Sequence, residues 1–297
     1  MKGISRDEMK AAPGAGSVLK PLMTAVMCIV VAAMSLMCSS CNYTKGPVSH
    51  LVLEYAHLDF DLPMFDFAYV NGFDYSTSKR EGYMSVNFND SRVIASLNKN
   101  DKKKAKKLLG LVLMHRDLRS FAEVHINAEY SLRVTFNETF QGGDKVMEFL
   151  FTPEEIKEVS KYGLSEEKLD REYLKAAVEF ENQLCPRDLG NGVTATKVVN
   201  EKKNVVYYYR VKNKAAMDSL RANADSINAQ TSSRMDKTPL PEMYSQKEND
   251  YRCGRISPNE MGVAGKGLIL RFYSGSPKKC VDIKYSVDEC KQEWFWN

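Results

Sequence analysis

The sequence predicts an α+β protein built from two similar units, each a small antiparallel sheet with packed helices. Residues of alternating polarity mark strands, and apolar residues three or four positions apart mark helices. The same hairpin, followed by the same kind of helix start, occurs in both halves of the chain. Helices that pack against an antiparallel sheet are the α+β arrangement.

In the first half, two strands are predicted before a long helix. Residues 51–55 (LVLEY) are one candidate strand, and residues 84–88 (MSVNF) are a second strand with alternating polarity. A helix is predicted to begin near Asp101, because apolar residues follow it at helical spacing. These residues are Leu108, Leu109, Val112 and Leu113.

A β-hairpin is predicted next. Residues 130–136 (YSLRVTF) alternate, residues 141–144 (QGGD) favour a turn, and residues 146–151 (VMEFLF) form the returning strand. The sequence TPEE that begins at Thr152 is a capping box with proline at the first helical position. A short helix is therefore expected after the hairpin.

The second half repeats this pattern. Residues 268–272 (LILRF) and 280–285 (CVDIKY) form another predicted hairpin, and SVDE from Ser286 is another capping box. The alignment superimposes two sets of alternating residues: Leu132, Val134, Phe136, Met147, Phe149 and Phe151 on Leu268, Leu270, Phe272, Val281, Ile283 and Tyr285. Two further strands, 193–199 and 205–211 (VVYYYRV), precede it. Each unit is thus predicted as strand, strand, helix, strand, strand, short helix.

Two more helices are predicted around these strands. Ser165 can cap the first, and Cys185-Pro186 ends it. Its apolar face comprises Leu169, Tyr173, Ala177, Phe180 and Leu184. The second helix, about 214–235, has only a thin apolar stripe, so we expect it at the surface.

The first forty residues are predicted to be an export signal. Basic residues precede the uncharged apolar stretch 21–37, and Ser39-Ser40-Cys41 follows it. Three interpretations stay open: a lipoprotein signal cleaved before Cys41, an uncleaved membrane anchor, and a secretory signal with full release. The lipoprotein interpretation is the leading one, although Cys38 stands where a lipobox usually has leucine.

The export signal sets the first of the predicted segment boundaries. Residues 1–40 are the signal peptide, 41–49 a linker, 50–163 the first unit and 164–297 the second. The chain has 42 basic and 38 acidic residues, a net charge of +4, which argues against a dedicated nucleic-acid binder. The protein is expected in the bacterial cell envelope, held to a membrane by a lipid on Cys41 and facing the periplasm or exterior.

Four cysteines remain in the exported body after lipidation of Cys41. They are Cys185, Cys253, Cys280 and Cys290. An even number in an exported chain permits two disulfides, with three possible connectivities. The alternative is that some of them are buried thiols.

The sequence contains few motifs that are typical of metal binding, phosphate binding or catalysis. If residues 57–61 form a strand, His57, Asp59 and Asp61 share one face and could hold a metal. The alternative is a half-buried strand with its polar side chains in water. Residues 262–267 lack the spacing of a phosphate-binding loop, and the nucleophile-elbow motif GxSxG is missing from the sequence. No cofactor and no catalytic residues are predicted.

Two features could contact a partner. Trp294, Phe295 and Trp296 form an aromatic tail that serves either as a binding site or as packing against the protein's own sheet. The lysine run in residues 99–107 could contact anionic lipid headgroups or could be a solvated helix face.

One resemblance involves the string from Cys185 to Gly192 (CPRDLGNG), the strand VVYYYRV and the last strand region ending at Cys290. Over roughly residues 165–290, this pattern resembles exported envelope lipoproteins of the Bacteroidota type, which bring no known activity. The resemblance implies a Cys253–Cys290 disulfide, with Cys185–Cys280 left as a second pair.

The expected function is non-enzymatic. The sequence favours a binding or assembly module of the envelope, whose sheets and tail contact another protein or a glycan. The alternatives are an envelope hydrolase with a site between the two units and a purely structural surface protein. Convergent polar side chains with strongly shifted pKa values between the units would favour the hydrolase.

Overall fold

Each half of the chain folds into one five-stranded sheet with helices packed on it, and the predicted α+β class is confirmed. The computed structural model describes residues 46–57, 62–65, 68–88, 90–98, 100–138, 146–229 and 256–291. In both sheets the strands follow one another in chain order.

The described part of the first half contains five helices and five strands. In chain order they are α1 (Pro47–His57), β1 (Leu62–Phe65), β2 (Ala68–Ser76), β3 (Glu81–Phe88), α2 (Ser91–Ala95), α3 (Lys102–Leu113), α4 (Arg116–Asn127), β4 (Ser131–Glu138), β5 (Val146–Phe151) and α5 (Pro153–Val159). The predicted helix near Asp101 is α3, and Asp101 is its N-cap. The predicted hairpin is β4–β5.

The described part of the second half has the same order of strands. Its elements are α6 (Glu166–Gln183), β6 (Arg187–Gly190), β7 (Val193–Asn200), β8 (Asn204–Val211), α7 (Lys214–Ala229), α8 (Pro258–Val263), β9 (Gly267–Tyr273), β10 (Cys280–Tyr285) and α9 (Val287–Lys291). Helix α7 buries only Met217 and Leu220, in agreement with the predicted surface helix.

The prediction that the sheets are purely antiparallel is wrong at one place in each unit. Strand β3 runs parallel to β4, and β8 runs parallel to β9, whereas every other described pair is antiparallel. A parallel pair needs a long crossover connection. Helices α2–α4 provide it in the first unit, and the chain from α7 to α8 provides it in the second.

The predicted repeat alignment agrees with the strand register. Leu132 lies opposite Phe151 and Val134 opposite Phe149 in the first sheet. The aligned residues make the same pairs in the second sheet, where Leu268 lies opposite Tyr285 and Leu270 opposite Ile283. The two hairpins are thus equivalent residue by residue. Strands β2 and β7 each also carry a register shift in the pairing with β3 and β8, between Asn71 and Asp74 in the first sheet and between Ala195 and Lys197 in the second.

The strand predicted for residues 51–55 is wrong, because this segment lies within helix α1. Val48 and Val52 are four residues apart and buried, and Leu51 and Tyr55 pack against the same core. A short apolar run fits either a strand or a buried helix face, so periodicity alone does not separate them. The helix starts inside the segment predicted as a linker.

The predicted helix starts are confirmed. Thr152 and Glu155 form the reciprocal capping box of α5. Ser286 and Glu289 exchange the equivalent two hydrogen bonds before α9. Ser165 is the N-cap of α6, although its side chain makes no capping hydrogen bond.

Helix α6 lies between the two units. Its buried residues cover roughly half of the helix circumference at 3.6 residues per turn, which is wider than the stripe of an ordinary surface helix. They are Leu169, Asp170, Tyr173, Leu174, Ala177, Val178, Phe180 and Glu181. The helix contacts β7 and α8 in the second unit and α3 in the first. Phe180 also meets the ring of Phe88 in β3, with a centroid distance of 6.3 Å.

A buried histidine fills the space over a glycine in the first sheet. The side chain of His125 is 0% exposed, and its Nδ1 lies 2.7 Å from the Phe121 carbonyl oxygen. Because a carbonyl only accepts, Nδ1 carries the hydrogen, and Nε2 has no hydrogen-bond partner. A Cβ atom added to Gly82 would lie 2.0 Å from that Nε2. Gly82 therefore leaves room for the imidazole.

Burial also sets the charge state of this ring. Removal from water lowers the pKa of His125 to about 4, although the hydrogen bond to Phe121 by itself would raise that pKa. The unfolded chain therefore binds the extra proton more readily than the folded one. The contribution of the neutral ring to stability is complete above pH 6.5 and is lost as the pH falls towards 4.

We expect Gly82→Ala to lower the free energy of unfolding by about 2 kcal/mol, because overpacking forces a buried ring to shift. The cost should fall below about 1 kcal/mol in a His125→Ala background, since the two residues are in direct contact. Urea unfolding of the four proteins at pH 7 measures this coupling. Equal costs in both backgrounds would show that the imidazole does not occupy this space.

Candidate functional site

The most chemically suggestive cluster lies between the two units. We call it the seam cluster; it consists of His115, Tyr173 and Glu260. His115 is the N-cap of α4, Tyr173 is in α6 and Glu260 is in α8. His115 Nε2 is 3.1 Å from Glu260 Oε1, and the Tyr173 hydroxyl donates to the same oxygen over 3.0 Å.

The hydrogen bonds define the proton positions in the seam cluster. The backbone N–H of Asp117 donates to His115 Nδ1 over 3.4 Å, so Nδ1 accepts and Nε2 is the atom that donates to Glu260. The other oxygen of Glu260 accepts from the Ser257 N–H over 3.2 Å. Burial, followed by the negative charge of Glu260, raises the pKa of Tyr173 well above its usual value.

A buried carboxylate beside the seam cluster joins the same two units. Arg116 donates two hydrogen bonds to Asp170, of 3.1 and 2.7 Å, and Arg119 donates a third of 2.7 Å. Burial alone would raise the pKa of Asp170, but the two arginines outweigh it and hold that pKa below its usual value. The charged carboxylate therefore contributes stability above pH 3.8, which is lost as the pH falls below that value.

A second buried polar group lies at the end of α6. The Tyr207 hydroxyl donates to Glu181 Oε2 over 2.5 Å and accepts from the Ile256 N–H over 3.1 Å. Arg187 Nη2 is 3.7 Å from the other Glu181 oxygen, and Glu181 is 1% exposed. Burial, then the charge of Glu181, raises the pKa of the neighbouring Cys185 thiol. A thiol with a raised pKa is a poor nucleophile at neutral pH.

The sequence pointed neither to the seam cluster nor to Asp170 as a site. His115, Tyr173 and Glu260 lie on three elements, and Asp170 with its arginines on two, so no motif of fixed spacing joins them. The only local signals were the polar positions at helix starts. Proximity in space arises from the packing of α6.

The predicted Cys185–Cys280 pair is not formed. Cys185 precedes β6 and Cys280 begins β10, and these strands are the two opposite edges of the second sheet. Four strand spacings of about 4.8 Å put the edges about 19 Å apart, whereas a disulfide needs Cα atoms within about 7 Å. Cys290 is buried, and Cys253, its expected partner, lies outside the described residues. The Cys253–Cys290 bond stays a prediction.

The other predicted site residues fall mostly outside the described part of the chain. These are Cys41, Asp59, Asp61 and the tail residues Trp294, Phe295 and Trp296. His57 ends helix α1, so the strand assumed for a metal site does not begin there. Among the described residues, no group of three potential ligands lies close enough to hold a metal ion, and no helix is long and apolar enough to cross a membrane.

The lysine run is paired with carboxylates of neighbouring helices. Lys102 reaches Glu155 over 2.7 Å, and Lys106 reaches Glu158 over 2.8 Å. Lys107 lies 3.5 Å from Glu179. This pairing favours the interpretation as a structural helix face over contact with anionic lipids, because much of the positive charge is already neutralised.

The outer edges of the two sheets differ. Strand β5 pairs with β4 on one side only, and nothing in the described part of the chain hydrogen-bonds to its other side. Val146 and Leu150 on this strand are 52% and 39% exposed. In the second sheet, the Asn228 side chain donates to the Asp282 carbonyl over 2.9 Å and accepts from the Lys284 N–H over 2.8 Å. Asn228 thus occupies the equivalent edge of β10.

Comparisons of the chain with known proteins found no match. No protein-family model matches the chain, and no curated protein or solved structure matches it either.

We expect Asp170→Asn to lower the free energy of unfolding by about 2 kcal/mol, because it removes the buried carboxylate to which Arg116 and Arg119 both donate. Of its ion pairs, Arg119 then keeps only the one with the exposed Glu166. Arg171→Ala is the matched control, since its ion pair with Glu167 is exposed and should change stability by less than about 0.5 kcal/mol. Urea unfolding at pH 7 measures both. Equal effects of the two variants would contradict a structural role of Asp170.

Proposed function

We propose that the protein is an exported, lipid-anchored module of the cell envelope that binds another envelope component without catalysing a reaction. The basic and apolar start of the chain and Ser39-Ser40-Cys41 support export and anchoring through Cys41. The small net charge of +4 supports a partner other than nucleic acid.

The observation that carries the proposal is the outer edge of β5, to which none of the described residues hydrogen-bonds. An unpaired edge strand offers a row of backbone donors and acceptors to an added strand. Strand addition of this kind is a recurring mode of protein recognition. The partly exposed Val146 and Leu150 add apolar surface beside those backbone groups.

The alternative function is an envelope hydrolase with its site between the two units. The convergence of His115, Tyr173 and Glu260, with the raised pKa of Tyr173, is the observation that favours it. Against it, both nitrogens of His115 are already engaged, by Glu260 and by the Asp117 N–H. A general base needs a lone pair within reach of a substrate proton. The contacts of the seam cluster are therefore better explained as holding the two units together than as catalysis.

The lipid anchor is tested by mass spectrometry of the protein purified from membranes. We expect the mature chain to begin at an acylated Cys41 without residues 1–40. The Cys41→Ala variant should accumulate as an uncleaved precursor, because the lipidated sulfur is then missing. Recovery of an intact Met1 peptide from the wild-type protein would contradict cleavage.

Binding through β5 is tested by photo-crosslinking in cells that express the full chain. A photoreactive amino acid is placed at Leu150, and the control carries it at Lys284, the equivalent position of β10. We expect a discrete protein adduct from position 150 and none from position 284, where Asn228 occupies the edge. The same yield at both positions would argue against a role of the β5 edge.

A further inference from the structure

The repeat supplies an internal comparison for the two edge strands. Register equates Val146, Glu148 and Leu150 of β5 with Cys280, Asp282 and Lys284 of β10. The second sheet therefore carries a lysine where the first carries an exposed leucine, besides the Asn228 side chain on its backbone. Lysines on edge strands and covered edges are the means by which proteins prevent unwanted strand pairing. Within the described residues, the first sheet has neither at β5.

We propose that β5 receives an extended segment of another envelope protein whose side chains on the solvent face alternate apolar, basic, apolar. This inference rests on the proposed binding function and specifies the chemistry of the partner. The incoming backbone completes the hydrogen bonds of β5 and becomes a sixth strand of the first sheet.

The side chains of β5 set this chemistry. On the solvent face, Val146 and Leu150 flank Glu148, whose side chain is 53% exposed and lies 2.6 Å from Arg133. Arg133 also pairs with Glu81 at 3.1 Å, so one guanidinium serves two carboxylates and the three groups keep a net negative charge. Cross-strand neighbours of opposite charge stabilise a sheet, and apolar pairs do so by packing. A lysine or arginine opposite Glu148, between two apolar residues, therefore complements the strand. On the other face, Met147 and Phe149 are buried in the core.

A second copy of the chain fits this edge less well. An antiparallel two-fold pairing that sets Val146 opposite Leu150 of the other copy also sets the two Glu148 residues opposite each other. Like charges at directly opposed positions destabilise a sheet. The charge of β5 thus favours a different chain as the occupant.

The test uses the full-length protein in detergent and two synthetic nine-residue peptides of alternating valine and threonine. The peptides differ only in a central lysine or glutamate on the valine face. Fluorescence anisotropy should show the lysine peptide binding at least tenfold tighter. Glu148→Lys should reverse this preference, and Leu150→Lys should weaken both peptides at least tenfold. Lys284→Leu, the matched change in β10, should leave both affinities unchanged.

Three results would overturn the proposal. The first is equal affinity for the two peptides, and the second is a preference that Glu148→Lys leaves in place. The third is a dimer of the purified protein that Leu150→Lys converts to a monomer, which would identify a second copy as the occupant. If crosslinks form at position 150 while the peptides show no preference, only the stated partner chemistry is wrong. If no crosslink forms there, the proposed binding function itself fails.

Discussion

The arrangement of the two units depends on the burial of helix α6 along roughly half of its circumference. Its Asp170 is buried, and a buried carboxylate is tolerated only with paired charges around it. Arg116 and Arg119 come from the first unit and provide those charges. One turn further along the helix, Tyr173 joins the seam cluster. The second unit is thereby held against the first by directional contacts as well as by apolar packing.

The two sheets share a topology but carry different side chains at equivalent positions. Gly82 in β3 accommodates His125, whereas the register places Val205 at the equivalent point of β8. Tyr207 of the second sheet replaces Met84 of the first and brings a hydroxyl to Glu181. The edges diverge in the same manner, since β10 is covered by Asn228. The two units thus keep the same backbone pairing, while their side chains differ at equivalent positions.

The hairpins and their capping boxes were predictable because each is encoded within about twenty residues of chain. Alternation in β4 and β5, together with the Thr152 capping box, specifies a local structure that needs no knowledge of the rest. Helix α1 was missed because a short apolar run fits both a helix and a strand. The parallel pairs were missed since strand direction across a long connection has no local signal.

The sequence by itself determined the fold class, the repeat, the hairpin register and most helix starts, because alternation, helical spacing and capping act between near neighbours. Only the tertiary structure shows the seam cluster. His115, Tyr173 and Glu260 are far apart along the chain and meet through packing between units. It also showed that, among the described residues, β10 is covered at its outer edge and β5 is not, and that Cys185 and Cys280 lie at opposite edges of one sheet. Contacts between distant segments depend on how whole elements pack, and no short stretch of sequence carries that information.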